Sequence, residues 1–231
     1  MAQPVEHIIQ HLNQVNVLRD LAERGGLLSV IQDVQNWQCE RLIASHQGMW
    51  NDPRFRPAME FFVDELYGPK DFSQRDQDIA RVVPKLAKVL PEKAILSLEA
   101  ALNLNRLSFE LDFAMAQQLQ GQTINRESYA AAYVNVGRED DRVVQINVIE
   151  LLGDQLADVV RFRGISTLIK LARKPAKLAG LLSLHEFLEA GYHAFKKLGD
   201  VHEFIDPIVE KERAIMHALL HDDTNPLPEQ L

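Results

Sequence analysis

The sequence has little of several features on which whole classes of protein depend, and cysteine is the first. Cys39 is the single cysteine among 231 residues, which excludes an intrachain disulfide and a thiolate zinc site. It lies in an amphipathic run beside Trp37 and Leu42, where we expect a buried, inert thiol. The N-terminus also has no basic segment followed by an apolar stretch, as a signal peptide would have. Together these absences predict a cytoplasmic protein.

Long apolar runs and an excess of positive charge are missing as well. No window approaches the roughly 18 uninterrupted apolar residues of a membrane-spanning helix. The formal charge is −8, from 25 basic and 33 acidic residues, so the average field repels phosphate backbones and disfavours nucleic acid as a partner. The sequence also lacks a P-loop, a dinucleotide-binding glycine motif and a nucleophile elbow. Classical nucleotide binding and serine hydrolysis therefore lose support.

Helical periodicity is what the sequence does have, along almost its whole length. The only short stretch with strand-like alternation, 133–136, is embedded in helix-forming residues. The pattern predicts an all-α fold, a single bundle of about nine or ten helices around a long central helix. We expect one helical domain over residues 1–221 and a frayed tail over 222–231. Prolines and glycines place the predicted helices near 5–23, 27–50, 57–67, 73–90, 91–120, 125–136, 139–163, 165–174, 176–198 and 207–221.

The predicted helix 91–120 has apolar residues on two opposite faces, which is typical of a helix enclosed by neighbours. One face carries Leu96, Ala100, Leu104, Leu107, Leu111 and Met115. The other carries Ile95, Leu98, Leu102, Phe109 and Phe113. We therefore expect this helix to run through the middle of the bundle. The helix 176–198, with a broad apolar arc and small residues such as Gly191, is expected to be a second core helix.

Two polar strips separate the apolar faces of the helix 91–120. The first strip is Glu99, Asn103, Arg106 and Glu110, and the second is Asn105, Ser108 and Asp112. In a central helix, at least one strip must meet polar groups of a neighbour or line a cavity, since buried polar groups are rarely left without partners. We place a candidate ligand site at the first strip, together with Tyr192, in a pocket between helices 91–120 and 176–198. Structural hydrogen bonding is the alternative for these residues.

The densest motif runs from Phe61 to Pro84 and indicates a helix, a turn and a second helix. It resembles a family of uncharacterised bacterial proteins that share the pattern F-F-x-x-x-L-Y-G-P-x-D-F-x-x-R-D-x-D-x-x-R-x-x-P, and residues 174–191 continue the resemblance. The resemblance implies a full-length match but no activity. Two interpretations of the motif stay open, a rigid structural corner and an anion site at the start of the second helix. The residues concerned are Lys70, Arg75, Asp76, Asp78 and Arg81.

A column of potential metal ligands occurs on the predicted helix 176–198. His185, Glu189 and His193 are spaced four apart, so their side chains share one helix face. Imidazole and carboxylate groups bind zinc or iron, although the column matches neither the H-E-x-x-H motif nor a di-iron motif. The alternative is a boundary histidine in an i,i+4 ion pair. Haem ligation by one of the eight histidines also stays open, and the cofactor is unknown.

A basic segment, residues 161–177, contains no acidic residue. Its cations are Arg161, Arg163, Lys170, Arg173, Lys174 and Lys177. They form either a solvated basic face on an acidic molecule or a docking site for an acidic partner, a phosphate-bearing ligand or a membrane surface.

Two functions follow as hypotheses. The first is a non-enzymatic helical protein that binds a protein partner or a small ligand in a regulatory role, and a homodimer is compatible with it. The alternative is a metal- or haem-dependent enzyme or carrier with its site inside the bundle. Whether the protein is an enzyme is left open.

Overall fold

The long helix α6, Glu92–Leu119, is the element around which the other helices are arranged. It packs against α1, α2, α7 and α8. Leu107, Leu111 and Met115 of one predicted apolar face are buried, and so are Ile95 and Leu102 of the other. The all-α bundle with a long central helix is thereby confirmed. The first turns of α6 lie nearer the surface, where Leu96 is half exposed.

The computed structural model describes residues 2–68, 73–88, 92–161, 164–222 and 224–231. Every regular element in these ranges is helical. The elements are α1 Ala2–Arg24, α2 Leu28–Ser45, α3 Gln47–Asn51, α4 Arg56–Phe61 with a π-helical continuation Phe62–Tyr67, α5 Ser73–Leu86, α6 Glu92–Leu119, α7 Arg126–Val136, α8 Glu139–Arg161, α9 Ile165–Leu178, α10 Leu182–Lys196 and α11 His202–His221. No described helix is long and apolar enough to span a membrane.

Several predicted helix boundaries differ from the observed ones. Helix α11, for example, begins at His202 and contains Pro207 in its interior, whereas the sequence predicts a start at 207. The predicted helix 27–50 is two helices, because His46 leaves the helical region with φ −123° and ψ 35°. Pro175 was expected to start a new helix, but it lies inside α9, which continues to Leu178. The chain reverses instead at Gly180, whose φ of 71° is readily adopted only by glycine.

The hydrophobic core is continuous with the aromatic residues of α4, α10 and α11. Phe195 packs edge-on against the fully buried Phe204, with ring centroids 5.7 Å apart. Phe61 packs against Phe195 at 5.8 Å. Cys39 is buried as expected, and burial raises the pKa of its thiol to about 12. Leu227 in the C-terminal tail is also buried in this core. The division into residues 1–221 and 222–231 stays a prediction.

Helices α8 and α11 are in close contact where Gly153 lies against Ile205. A Cβ atom added to Gly153 would lie 2.7 Å from Cγ2 and 3.2 Å from Cβ of Ile205. Because the second distance involves an atom next to the backbone, rotation of Ile205 cannot relieve it. We expect Gly153→Ala to lower the free energy of unfolding by about 1–2 kcal/mol through overpacking. Chemical denaturation monitored by circular dichroism measures the change.

Gly48→Ala in α3 is the matched control, since no atom lies within 4 Å of the added Cβ. We expect this substitution to be neutral or to stabilise the protein by about 0.5–1 kcal/mol, because alanine has the higher helix propensity. Equal effects of the two substitutions would contradict the close packing of α8 on α11.

Candidate functional site

A cavity of about 780 Å³ lies beside α6 in the core. The volume is within the range of small-molecule sites in proteins. Helices α9 and α10 contribute a group of apolar lining residues. These are Ile165, Ile169, Leu184, Phe187, Leu188 and Phe195. The cavity therefore lies between α6 and α10, the pair of helices between which the sequence predicts a ligand pocket.

The cavity is elongated along α6. Leu98 lines it near the start of the helix and Asp112 lines it near the end. At 1.5 Å per residue, these positions are about 21 Å apart along the axis. Helix α8 runs antiparallel to α6, because Lys93 Nζ contacts Asp158 Oδ2 at 3.1 Å whereas Ser108 Oγ accepts a 2.8 Å hydrogen bond from Gln145. One end of the cavity is therefore formed by the N-terminal half of α6 and the C-terminal half of α8, and the other end by the opposite halves.

The end near Asp112 is polar. Gln38 Nε2 donates to Asp112 Oδ1 at 3.1 Å and to the Tyr129 hydroxyl at 3.1 Å. Gln35 Nε2 donates to Asp112 Oδ2 at 3.0 Å. Burial raises the pKa of the Asp112 carboxyl to about 6, although the two glutamine hydrogen bonds and the charge of Arg142 oppose the rise. Asp112 thus changes charge close to neutral pH. With Tyr133 and Arg142, these residues form what we call the polar cluster.

Arg142 is the cation of the polar cluster. It is buried, and its guanidinium carbon lies 3.5 Å from the ring centroid of Tyr133. Its Nε donates to the carbonyl of Gly137 at 2.9 Å, and Nη2 lies 3.8 Å from Met115 Sδ. Within the described ranges, no carboxylate lies within 4 Å of the Arg142 guanidinium, which is unusual for a buried arginine. Arg142 therefore offers a positive charge to a ligand at this end of the cavity.

An ion pair between a buried arginine and a partly buried glutamate lines the same region. Arg41 and Glu212 form a salt bridge, and His46 Nε2 lies 3.7 Å from Glu212. Burial alone would raise the pKa of Glu212. The charge of Arg41 and the interaction with His46 outweigh burial, and they lower that pKa to about 2. Arg41 is thereby paired with Glu212, whereas Arg142 forms no direct ion pair with a described carboxylate and acts on Asp112 only at longer range.

The first polar strip of α6 faces away from the cavity, and its residues interact with one another and with neighbouring helices. Glu99 Oε1 lies 2.6 Å from His7 Nδ1. Arg106 donates to Asn103 at 2.9 Å and pairs with Glu110, which also accepts from Arg138 at 3.2 Å. The second strip, Asn105, Ser108 and Asp112, is the one that lines the cavity, and Tyr192 lines it as well. Ligand binding by the first strip stays a prediction.

In the described part of the motif 61–84, arginines and aspartates form ion pairs near the cavity. Arg75 Nε lies 3.6 Å from Asp76, and Arg81 Nη2 donates to Asp78 at 2.9 Å and to the carbonyl of Gly180 at 3.2 Å. Arg75 also lines the cavity. Lys70 lies outside the described residues. These contacts suit the structural-corner interpretation, and the anion site stays a prediction.

The residues of the histidine column on α10 lie in different environments. His185 is buried, with Nε2 3.9 Å from Glu189 Oε2, whereas His193 is exposed. The Glu189 carboxylate pairs with Arg173 at 2.5 Å. Among the described residues, no group of three His, Cys, Asp or Glu is arranged to hold a metal ion. Metal binding by this column has only the sequence spacing in its favour.

Sequence reasoning missed most of the polar cluster. The glutamines of α2 and the tyrosines of α7 have no local motif, and Arg142 lies in the acidic first turns of α8 where it suggests only a solvated charge. One signal was available, since Asp112 belongs to a polar strip on a helix with two apolar faces. That strip was noted, but the first strip was preferred.

Comparison with known proteins gives one family and no function. The family model described as "Domain of unknown function (DUF8198)" matches residues 18–226. Neither the curated proteins nor the solved structures include a match to this chain.

Proposed function

Since the chain belongs to this DUF8198 family, whose description names no reaction, we propose its function from the cavity: it binds a small amphipathic ligand with an apolar body and an anionic head. The observation that carries the proposal is a buried arginine without a described carboxylate partner at one end of an elongated apolar cavity. Long-chain carboxylates have this combination of properties.

The dimensions of the cavity support a ligand of this shape. Its volume of about 780 Å³ accommodates a long acyl chain, and its length of about 21 Å follows α6 from Leu98 to Asp112. Apolar side chains of α9 and α10 would surround the body of the ligand. Burial of that body away from water would provide most of the binding free energy.

The polar cluster supports an anionic head. Arg142 is held in position by Tyr133 and by the carbonyl of Gly137, so it is preorganised for a carboxylate. Tyr133 lines the cavity and its hydroxyl forms no hydrogen bond to a described residue, so the hydroxyl is available to donate to the same head. Protonation of Asp112 would remove a negative charge that competes for this position.

The wider role is part of the same proposal. We infer a cytoplasmic protein that acts by reporting or sequestering its ligand rather than by transforming it. The single, buried cysteine suits a reducing compartment. A protein partner or a second copy of the chain would recognise the ligand-bound form. The formal charge of −8 argues against nucleic acid as that partner.

Binding of hexadecanoate tests the proposal. We expect the protein to bind hexadecanoate in competition with the fluorescent probe anilinonaphthalene sulfonate. Arg142→Gln should weaken hexadecanoate binding by about tenfold or more, because a hydrogen bond to a charged group contributes about 1.5–3 kcal/mol. Hexadecanol, which has no charge, should lose much less affinity. Fluorescence displacement titration measures both.

Arg213→Gln on α11 is the matched control, since Arg213 is exposed and pairs with Glu150 and Asn147 at the surface. It should leave both affinities unchanged. Failure of the folded wild-type protein to bind hexadecanoate would overturn the proposal. Equal losses in Arg142→Gln and Arg213→Gln would show that Arg142 does not hold the head.

A further inference from the structure

The surface of α9 combines two features that the cavity does not explain. Every residue of α9 is described and none of them is buried. Leu168, Leu171 and Leu178 are 55%, 68% and 90% exposed. At about 100° per residue, these leucines fall within about 80° of one another around the helix. They therefore form a single exposed stripe, which we call the leucine stripe.

The neighbouring sector of α9 is basic. Lys170, Lys174 and Lys177 fall within about 60° of one another on the same helix. No described carboxylate lies within ion-pair distance of these lysines. Arg173, by contrast, is paired with Glu186 at 3.2 Å and with Glu189 at 2.5 Å on α10, which attaches α9 to the bundle. The three lysines are thus available to an external anionic surface.

The leucine stripe and the neighbouring lysines together indicate which kind of partner α9 would bind. A helix that lies on the molecular surface, with an apolar stripe beside a row of lysines, has the chemistry of an interfacial helix on an anionic membrane. Leucines would enter the boundary of the acyl chains, and lysines would contact the headgroups. The molecule as a whole carries a formal charge of −8, so only a local basic surface can approach an anionic bilayer.

We propose that α9 docks the protein on an anionic lipid bilayer, with the leucine stripe inserted and Lys170, Lys174 and Lys177 at the headgroups. The proposal rests on the outer face of α9 and does not depend on what occupies the cavity. Helix α9 would lie on the bilayer surface and would not span the bilayer, because it has only 14 residues.

Vesicle flotation tests the docking. The full chain is mixed with vesicles of phosphatidylcholine alone or with vesicles of equal parts phosphatidylcholine and phosphatidylserine. We expect binding to the anionic vesicles, with little binding to the neutral ones. The double variant Leu171→Gln, Leu178→Gln should bind the anionic vesicles about tenfold more weakly or worse. Lys174→Gln and Lys177→Gln should each weaken binding about fivefold, and high salt should act in the same direction.

The double variant Leu21→Gln, Leu151→Gln is the control, because it replaces two half-exposed leucines on α1 and α8, away from the leucine stripe. It should bind like the wild type. The proposal is overturned if the wild-type protein ignores the anionic vesicles, in which case the leucine stripe belongs to a protein interface. It is also overturned if both double variants lose binding equally. Hexadecanoate affinity should be unaffected by Lys174→Gln, so failure here leaves the cavity proposal standing.

Discussion

Glu212→Gln is expected to lower the free energy of unfolding by about 3–5 kcal/mol, the largest effect of any substitution considered. Arg41 is almost completely buried, and Glu212 supplies the carboxylate that compensates its charge. Glutamine keeps the shape of the side chain but removes that compensation. Chemical denaturation at pH 7 measures the change. The exposed pair of Glu150 with Arg213 provides the control, and Glu150→Gln should cost less than about 1 kcal/mol.

The same ion pair should make the protein sensitive to acid. The pKa of Glu212 is lowered to about 2 in the folded protein, whereas it stays near 4.5 when the chain unfolds. The unfolded state therefore binds the proton first, and the stabilisation, complete above pH 4.5, is lost as the pH falls toward 2. In Glu212→Gln this contribution to the pH dependence should vanish. An unchanged acid transition in the variant would show that the pair contributes no net stability.

A double substitution distinguishes the net contribution of the ion pair to stability from the destabilisation caused by removing only one partner. Replacing Arg41 and Glu212 together by methionine removes both buried charges and their desolvation. Buried ion pairs replaced by apolar residues are often neutral or stabilising. We expect the double variant to be more stable than either single variant. With Arg41→Met and Glu212→Met as the single variants, the stability change of the double variant minus the sum of the two single changes gives the coupling energy of Arg41 and Glu212.

Asp112→Asn is expected to raise the free energy of unfolding at pH 7 by about 2–3 kcal/mol. Burial raises the pKa of Asp112 to about 6, so keeping it ionised at pH 7 costs stability. Asparagine has nearly the same shape and carries no charge. The amides of Gln35 and Gln38 can reverse so that one of them accepts a hydrogen bond from the new side chain. A stabilising substitution at a buried, hydrogen-bonded residue is the opposite of the usual result.

The pH dependence of this effect has a definite sign. Between pH 4 and pH 6 the folded state retains the Asp112 proton while the unfolded state has lost it, so stability falls as the pH rises. The gain from Asp112→Asn should therefore be small at pH 4 and complete above pH 6. Asp20→Asn, at an exposed position of α1, should change stability by less than about 0.5 kcal/mol at either pH. A destabilising effect at pH 7 would contradict the assignment.

The fold could be predicted because local patterns determine it. Two apolar faces on the segment 91–120 are sufficient to place α6 inside the bundle, and glycines mark helix ends such as that at Gly121. Boundaries failed where a residue does not follow its usual local preference. Pro175 suits a helix start, yet it is accommodated in α9, where its missing N–H interrupts the helix without ending it.

The cavity could be predicted only in outline. Its position between α6 and α10 follows from their apolar faces, but the choice between the two polar strips of α6 depends on how α2, α7 and α8 approach that helix. Arg142 shows the difficulty most clearly. The residues just before it in the sequence are acidic. Its guanidinium is covered by Tyr133 of α7 and contacts Met115 of α6, and neither contact can be predicted from the local sequence.

Trp37 stacks on Tyr129 with ring centroids 4.1 Å apart, and the Tyr129 hydroxyl is hydrogen-bonded to the glutamine that also binds Asp112. An indole is thus in van der Waals contact with a ring whose hydroxyl responds to the charge state of the cluster. The chain has only two tryptophans, and the other, Trp50, lies beneath Arg56. We therefore expect the fluorescence of Trp37 to change when Asp112 gains or loses its proton.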